Sequence, residues 1–346
     1  MRIRLEDVAR RAGVSPKTVS RVLNEEANVR ESTRARVLAV VAELDYRPHP
    51  SARRLASNQS FMVATLYDNP SASYLTEVQD GVLDACDEFQ YSMLVRPLHV
   101  EAEDFVQRVD KLISDHRPDG LVLTPPVSDH PGLLLRLQER GIPYASVSPR
   151  EREGTIGVYM DERRAAADMV SMLAKLGHRR IAHVIGHAGH GASTWRHAGY
   201  KDALKQADIK YDKRLVVQGD FSFESGVEAA RQLFALADRP SAVFAGNDDM
   251  ASGVIWAAAE HNLRIPEDVS VCGFDDTPIS RQVWPRLTTI HQPVREMGRL
   301  ACLQLLEVLR GRGPGRMMQL PYSLQLRDST RPVFDARRRS GKQGHF

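Results

Sequence analysis

The chain has 346 residues, 42% of them hydrophobic and 26% charged, with a formal net charge of +3. That length is generous for one domain and suits a small head on a larger body. No apolar run approaches the roughly 18 residues of a membrane span and no secretory leader precedes the first helix, so the sequence predicts a cytoplasmic protein without a membrane partner. Charge is uneven: residues 1–60 carry 12 Lys and Arg against 7 Asp and Glu, residues 61–330 carry 30 against 36, and the last sixteen carry five against one. The basic character therefore lies at the two ends, not in the body.

In chain order, the first predicted element is a helix with Leu5, Val8, Ala9 and Ala12 at i, i+3, i+4 and i+7. Gly13 supplies the left-handed residue that closes it. Ser15 can accept a backbone N–H and Pro16 suits a first helical position, so a second helix starts at once and the pair reads as a helix-turn-helix. Val19, Val22 and Leu23 point inward, leaving Pro16, Lys17, Ser20, Arg21 and Asn24 outside. Short polar groups beside two cations suit the major groove, where Lys and Arg reach guanine O6 and N7. A plain amphipathic hairpin with a solvated charged face is the alternative.

Ser32 is predicted to cap a third helix whose Val37, Leu38, Val41 and Leu44 complete a small core before Tyr46-Arg47-Pro48 turns the chain. Pro50 to Ser57 follows, short of the ~12 residues a helix needs to be stable alone in water, yet able to order on a partner. There Arg53 and Arg54 can grip phosphates while Leu55 wedges into a minor-groove step. An interdomain linker with a buried leucine is the other reading.

On Leu5-Glu6-Asp7-Val8-Ala9, Ala12-Gly13-Val14-Ser15, Thr18 to Asn24, Val29 with Thr33-Arg34, Leu44 to Pro48, and Ala52 to Ser57 followed by Ser60, the chain resembles the LacI/GalR family of bacterial transcription regulators. The resemblance implies a helix-turn-helix domain over 1–48, a hinge helix and linker over 49–60, and dimers on a near-palindromic DNA operator. It places Pro16 and Lys17 at the positions that vary between operators, makes Arg21 a base or phosphate contact, and makes Leu55 the intercalating hinge leucine. The implied DNA-contacting set is Leu5, Ser15, Pro16, Lys17, Thr18, Ser20, Arg21, Asn24, Arg53 and Leu55.

From Phe61 onward, short apolar strands alternate with amphipathic helices, which predicts parallel sheets covered on both faces. Strands are expected at 61–67, 91–95, 120–124, 143–146, 156–160, 181–186, 215–218, 242–245 and 269–274, with helices that include 161–176, 196–207 and 248–262. So many strands predict two doubly wound lobes, an α/β body behind an α-helical head. The resemblance extends here to a periplasmic-binding-protein-like effector and dimerisation domain over 61–331, with lobe 1 about 61–160 and 291–320 and lobe 2 about 161–290 and 321–331. Residues 332–346 are expected to be a disordered tail; without leucine heptads there, a homodimer is the expected assembly.

Ligands of open α/β sheets sit beyond the strand C-termini. Arg196, Phe221, Asn247 and Asp275 match the family's effector-contact positions, and together they offer donors and acceptors for sugar hydroxyls and a ring for a pyranose face. Alternatively, Asn247 caps a helix and Asp275 forms a turn, and capping can coexist with contact. Tyr67, Asn69, Tyr74, Trp195 and Trp284 are further candidates for pocket walls, and Ser148 and Arg150 for groups reaching the cleft. Ser148 stands near a position where the lac repressor has an acidic effector contact, and Phe221 replaces its tryptophan, which weakens the case for a shared ligand.

Gly186-His187-Ala188-Gly189-His190-Gly191 follows a strand like a phosphate loop, but its spacing fits neither dinucleotide nor P-loop patterns. His183, His187, His190 and His197 lack a completed metal-ligand set, and Cys86, Cys272 and Cys302 read as buried thiols. Neither cofactor, metal nor catalytic residue is expected. The sequence thus predicts a repressor of carbohydrate uptake or catabolism genes released by a mono- or oligosaccharide. A corepressor-activated repressor of the purine type, or a sugar-responsive activator, is the alternative.

Overall fold

The computed structural model describes residues 3–23, 28–46 and 59–333. The chain divides into two compact units, one ending at Phe61 and one starting at Met62. The expected hinge helix over Pro50–Ser57, with Arg53 and Leu55, lies outside the described residues, as do Asn24 and the tail from 334.

The first unit holds α1 (Leu5–Ala12), α2 (Pro16–Leu23) and α3 (Glu31–Glu43). Asp7 folds back to accept the Arg4 N–H at 2.9 Å, satisfying a donor at the start of α1. Gly13 ends that helix at φ 63°, and the Val14 N–H returns to the Ala9 carbonyl at 3.0 Å. Ser15 Oγ accepts the Thr18 N–H at 3.2 Å, so α2 is capped as soon as the turn is complete. Val8, Ala9, Ala12, Val19, Val22, Val37, Val40 and Tyr46 form the core, and Arg11 reaches Glu43 at 2.6 Å across its surface.

Two expectations for α3 need correction. Arg30, not Ser32, holds the N-cap position, and Leu38 is exposed. Val37, Val40, Val41 and Leu44 fall at i, i+3, i+4 and i+7, which leaves Leu38 about 100° off that stripe.

In the second unit one parallel sheet combines β1 (Met62–Tyr67), β2 (Ser92–Pro97), β3 (Gly120–Leu123), β4 (Tyr144–Val147), β5 (Gly157–Met160) and β11 (Met317–Leu320), in the order β11-β5-β4-β3-β1-β2. Another combines β6 (Ile181–Ile185), β7 (Val216–Gln218), β8 (Ala242–Ala245) and β9 (Ser270–Cys272), in the order β7-β6-β8-β9. A short antiparallel pair joins β10 (Thr289–His291) to β12 (Ser323–Gln325). Central strands such as β3 and β8 are buried along their whole length, as strands covered on both faces must be.

Around the first sheet lie α4 (Ala72–Phe89), α5 (Phe105–His116), α6 (Pro131–Glu139) and α12 (Val294–Leu309), and around the second α7 (Glu162–Lys175), α8 (Gly191–Gln206), α9 (Phe223–Phe234) and α10 (Asp248–Glu260). A short α11 (Ile279–Gln282) follows β9. At Gly81 an added Cβ would lie 1.9 Å from the Arg295 carbonyl oxygen, so α4 and α12 approach closely only through glycine. The chain crosses between the sheets after β5, after β10 and after β11, a triple connection suited to hinge motion.

Two body elements differ from the sequence expectation. α8 starts at Gly191 instead of Arg196, and β9 stops at Cys272 instead of Phe274. From the end of β9 the chain is tied to β10 and the residue before it by two isolated bridges, Cys272 to Thr288 and Asp275 to His291. Among the described residues no helix is long and apolar enough to cross a membrane.

Candidate nucleic-acid interface and ligand cleft

On the head, Ser15, Pro16 and Lys17 are exposed, while Thr18, Ser20 and Arg21 are half-buried. Lys17, Ser20 and Arg21 share one face of α2 at i, i+3 and i+4, opposite the buried Val19 and Val22. The hydroxyls of Ser15 and Thr18 stand 2.9 Å apart, and their exchange fixes where that face begins. Leu5 is half-buried and packs against the head core.

In the body a small cavity opens beyond the C-terminal strand ends. Tyr74, Ser148, Arg196, Phe221, Asn247 and Asp275 all line it, and so does Asn69. Trp284 does not; it follows α11 on the outer surface, 82% exposed. Tyr67, Arg150 and Trp195 are likewise absent from the lining.

Ser71, Pro125, His190, Ala192 and Gln292 line the cavity without having been singled out as contacts. Ser71, Pro125 and Gln292 follow β1, β3 and β10, so the strand-end rule points to their loops but not to their side-chain directions. His190 was visible only as part of an odd glycine-histidine run. The four histidines part company in the structure: His183 stacks on Phe244 and Tyr200 and bonds the Phe244 carbonyl at 2.9 Å, with His197 stacked beside it, whereas His187 and His190 belong to the cleft loop.

Arg196 organises the chemistry. Its guanidinium lies 3.6 Å from the centre of the Phe274 ring, donates to the Gly246 carbonyl at 2.6 Å and stands 3.5 Å from Asp275 Oδ1, while its Nε has no hydrogen-bond partner. Asn247 does two jobs. Its Oδ1 accepts the Met250 N–H at 2.9 Å and so caps α10, and its Nδ2 donates to the Phe221 carbonyl at 2.9 Å while the residue lines the cavity.

Three of the lining residues hold left-handed backbone: Ser148 at φ 48°, Phe221 at 76° and Asp275 at 111°. Such conformations cost about 1–3 kcal/mol each and persist only where the surroundings enforce them. Asp275 is fixed by its N–H to the Ile290 carbonyl at 2.9 Å. The structural turn belongs to its neighbour Asp276, whose carboxylate binds Arg327, Arg281 at 2.9 Å and His291 at 3.2 Å. Behind Asn247, the buried Asp248 takes Thr289 Oγ1 at 2.6 Å and the Thr277 N–H at 2.8 Å, pinning the start of α10 to the strand-end loops.

Burial governs the electrostatics. It pushes the Asp275 carboxyl up to about 7; Arg196 opposes the shift, and Asp249 and Glu162 add to it. Glu162 is likewise raised by burial, against the pull of Arg196 and of Arg152, which pairs with it at 3.0 Å. Burial, helped by His187 and Arg196, lowers the His190 imidazole to about 3 and keeps it neutral. The lining thus presents hydrogen-bonding groups and rings around one guanidinium that already has partners.

The profile of the lacI family of bacterial regulatory proteins matches residues 4–49, and that of a periplasmic binding protein-like domain matches residues 170–330. The HTH-type transcriptional repressor PurR of Serratia proteamaculans is 34% identical over 341 residues, 96% of this chain and 99% of that protein. Among solved structures, the transcriptional regulator CelR in complex with cellobiose is 30% identical, with a TM-score of 0.72 over 95% of this chain and 100% of that one. The lac repressor dimer bound to operator and the anti-inducer ONPF is 29% identical, with a TM-score of 0.76 over 96% of this chain and 100% of that one. The head and the two-sheet body together therefore place this chain in the lacI family of bacterial regulatory proteins: it is a DNA-binding transcriptional repressor, not an enzyme.

Proposed function

We propose that the protein is a dimeric repressor of carbohydrate uptake or catabolism genes, released from a near-palindromic operator by a small neutral sugar. The observation that carries this reading is the cleft: Arg196, Asn247 and Asp275 converge with Phe221 and Tyr74 on one cavity. Amide, guanidinium and carboxylate groups match the alternating donors and acceptors of a polyol, and the rings match its C–H face. CelR, whose solved complex holds cellobiose, is consistent with a sugar in this position.

In this reading 1–48 is the DNA-binding domain, 49–60 the hinge helix and linker, and 61–331 the effector domain, acting in the cytoplasm. Pro16, Lys17, Ser20, Arg21 and Asn24 read the half-site while Ser15 and Thr18 set the helix start; Arg53 and Leu55 act through the hinge. The effector works only through its different affinity for the DNA-bound and released arrangements of the lobes.

A second reading is favoured by the 34% identity to PurR: a purine-type corepressor whose flat ring lies against the aromatic walls. Selection of DNA fragments by the purified protein, followed by a screen of free sugars and purine bases for release or retention, separates the two. Release by a sugar supports induction, and retention by a base supports the second reading. A protein that selects no DNA sequence overturns both.

A further inference from the structure

The run Gly186-His187-Ala188-Gly189-His190-Gly191 is where the second-sheet side of the body meets the first. Asp129 ends the turn Val127–Asp129 that follows β3. Its Oδ2 accepts the N–H of Gly191, the first residue of α8, at 2.8 Å, and its Oδ1 accepts the N–H of Arg150, after β4, at 2.7 Å. One carboxylate therefore ties an amide from each side of the cleft. Arg150 Nη2 also reaches the Gly189 carbonyl at 3.5 Å. A Cβ on Gly191 would stand 2.8 Å from Arg150 Cβ and 2.9 Å from its Cα, so only glycine allows this approach. Ser71, after β1, adds a separate tie by donating to Asp249 of α10 at 2.5 Å.

His190 sits between these contacts with its ring turned inward. It is 4% exposed, lines the cavity and meets Phe221 edge-on, with ring centres 5.0 Å apart. Arg196 is the one guanidinium or ammonium group among the described residues of the lining, and it is committed to Gly246 and Asp275.

We propose that loop 186–191 is a clasp which, docked on Asp129, closes one side of the cleft and limits the effector to a small neutral molecule. The proposal rests on reading the cleft as an effector site. His190 occupies that side of the cavity, so a bulkier effector has to displace it and, with it, Gly191 from Asp129. A phosphate group meets one guanidinium, whose Nη1 and Nη2 are already held by Gly246 and Asp275, and it faces the Asp275 carboxyl as well.

Two measurements on the full-length protein test it. Spin labels on Lys111→Cys and Lys205→Cys report the distance across the cleft, since the native Cys86, Cys272 and Cys302 are buried. Asp129→Ala and Gly191→Ala should each lengthen or broaden that distance, with Asp129→Asn intermediate; Gly191→Ala keeps a good helix former in α8 and so spares the fold. An unchanged distance in both alanine variants overturns the clasp.

Calorimetry then compares glucose, galactose and ribose with cellobiose and glucose-6-phosphate, and hypoxanthine with inosine monophosphate. Only the small uncharged compounds should bind, and Asp129→Ala should weaken the binder by roughly tenfold, the worth of a charge-assisted hydrogen bond. A disaccharide or phosphorylated compound bound as tightly as its smaller partner overturns the filter. Binding of hypoxanthine without any sugar refutes the sugar reading and leaves the clasp standing. Binding of none overturns the filter, since no small uncharged compound is then accepted, and the distance measurement decides whether the loop is a clasp.

Discussion

The head and the cleft solve opposite problems. On α2 the outward groups are carried by a regular helix, and the left-handed position between α1 and α2 is given to Gly13. In the cleft, Ser148, Phe221 and Asp275 take left-handed backbone themselves, and Arg196, Asp275 and Glu162 are withdrawn from water. A surface that meets a phosphate polyanion keeps its cations solvated until contact, because released counterions supply much of the binding free energy. A site for a small molecule gains by holding its polar groups ready, at a cost met by the surrounding fold. Substitutions should therefore act differently: on the outer face of α2 they change recognition more than stability, in the cleft they change both.

Arg196→Ala should have the largest effect. Removing the guanidinium leaves Asp275 and Glu162 without a shared counter-charge and uncovers the Phe274 ring, and breaking a buried pair typically costs about 3–5 kcal/mol. We expect effector affinity to fall more than a hundredfold by calorimetry and the melting temperature of the body to fall with it, while operator binding persists. Arg196→Lys keeps the charge but loses the planar fork, so it should recover only part of the loss. Retained effector affinity in Arg196→Ala would break the contrast between the two regions.

Next in size is Arg21→Ala. A side chain that reads a base edge is worth about 1–3 kcal/mol of discrimination, so selective operator binding should drop roughly tenfold to a hundredfold. Arg21 is half-buried and has a partner within the head, so some stability should go with it, and binding is compared at a temperature where the variant is fully folded. Fluorescence anisotropy on the selected operator and on a scrambled duplex checks this. A uniform loss on both duplexes reassigns Arg21 to a phosphate; no loss on either removes it from the interface.

How much of this was legible in sequence depended on the distance over which residues cooperate. The helix-turn-helix was readable because Leu5, Val8, Ala9 and Ala12, the Gly13 stop and the Ser15 cap all act within a few residues of one another. Leu38 went wrong by one position on a helix whose other apolar residues define a neighbouring stripe. In the body, the family resemblance pointed to Arg196, Phe221, Asn247 and Asp275, and the strand-end rule pointed to the same loops after β7, β8 and β9 for the last three. Trp284 failed because its exposure is set by how the chain leaves α11, which no local spacing encodes. Asp129 was invisible for the same reason: its partner Gly191 lies 62 residues away, and neither residue belongs to a recognisable motif.

Acidity offers a finer probe of the cleft. The Asp275 carboxyl is raised from 3.8 to about 7, so it is mostly protonated in the folded protein below neutral pH. A ligand hydroxyl that donates to the carboxylate favours the ionised form, so binding releases a proton and affinity is lost as pH falls through 7. Between pH 6 and pH 8 affinity should rise about tenfold, or 1.4 kcal/mol. Asp275→Asn should flatten that profile. A flat profile in the unmodified protein would remove Asp275 from ligand contact, while a slope that survives in Asp275→Asn would move the titration to another group.

The smallest effect is expected at Gly13, where head stability can be separated from head recognition. Its φ is 63° and an added Cβ meets nothing within 4 Å, so Gly13→Ala creates no clash and its cost is the left-handed conformation itself, about 1–2 kcal/mol. Gly13→Asn should cost less, because asparagine enters this region more readily. Hydrogen exchange at the buried Val8 and Val19 amides should quicken in that order, alanine before asparagine. Operator affinity should fall by less than tenfold with sequence preference unchanged, since Lys17, Ser20 and Arg21 keep their places whenever the head is folded. A change in preference would mean that the turn, besides joining α1 to α2, sets the angle at which α2 meets its target.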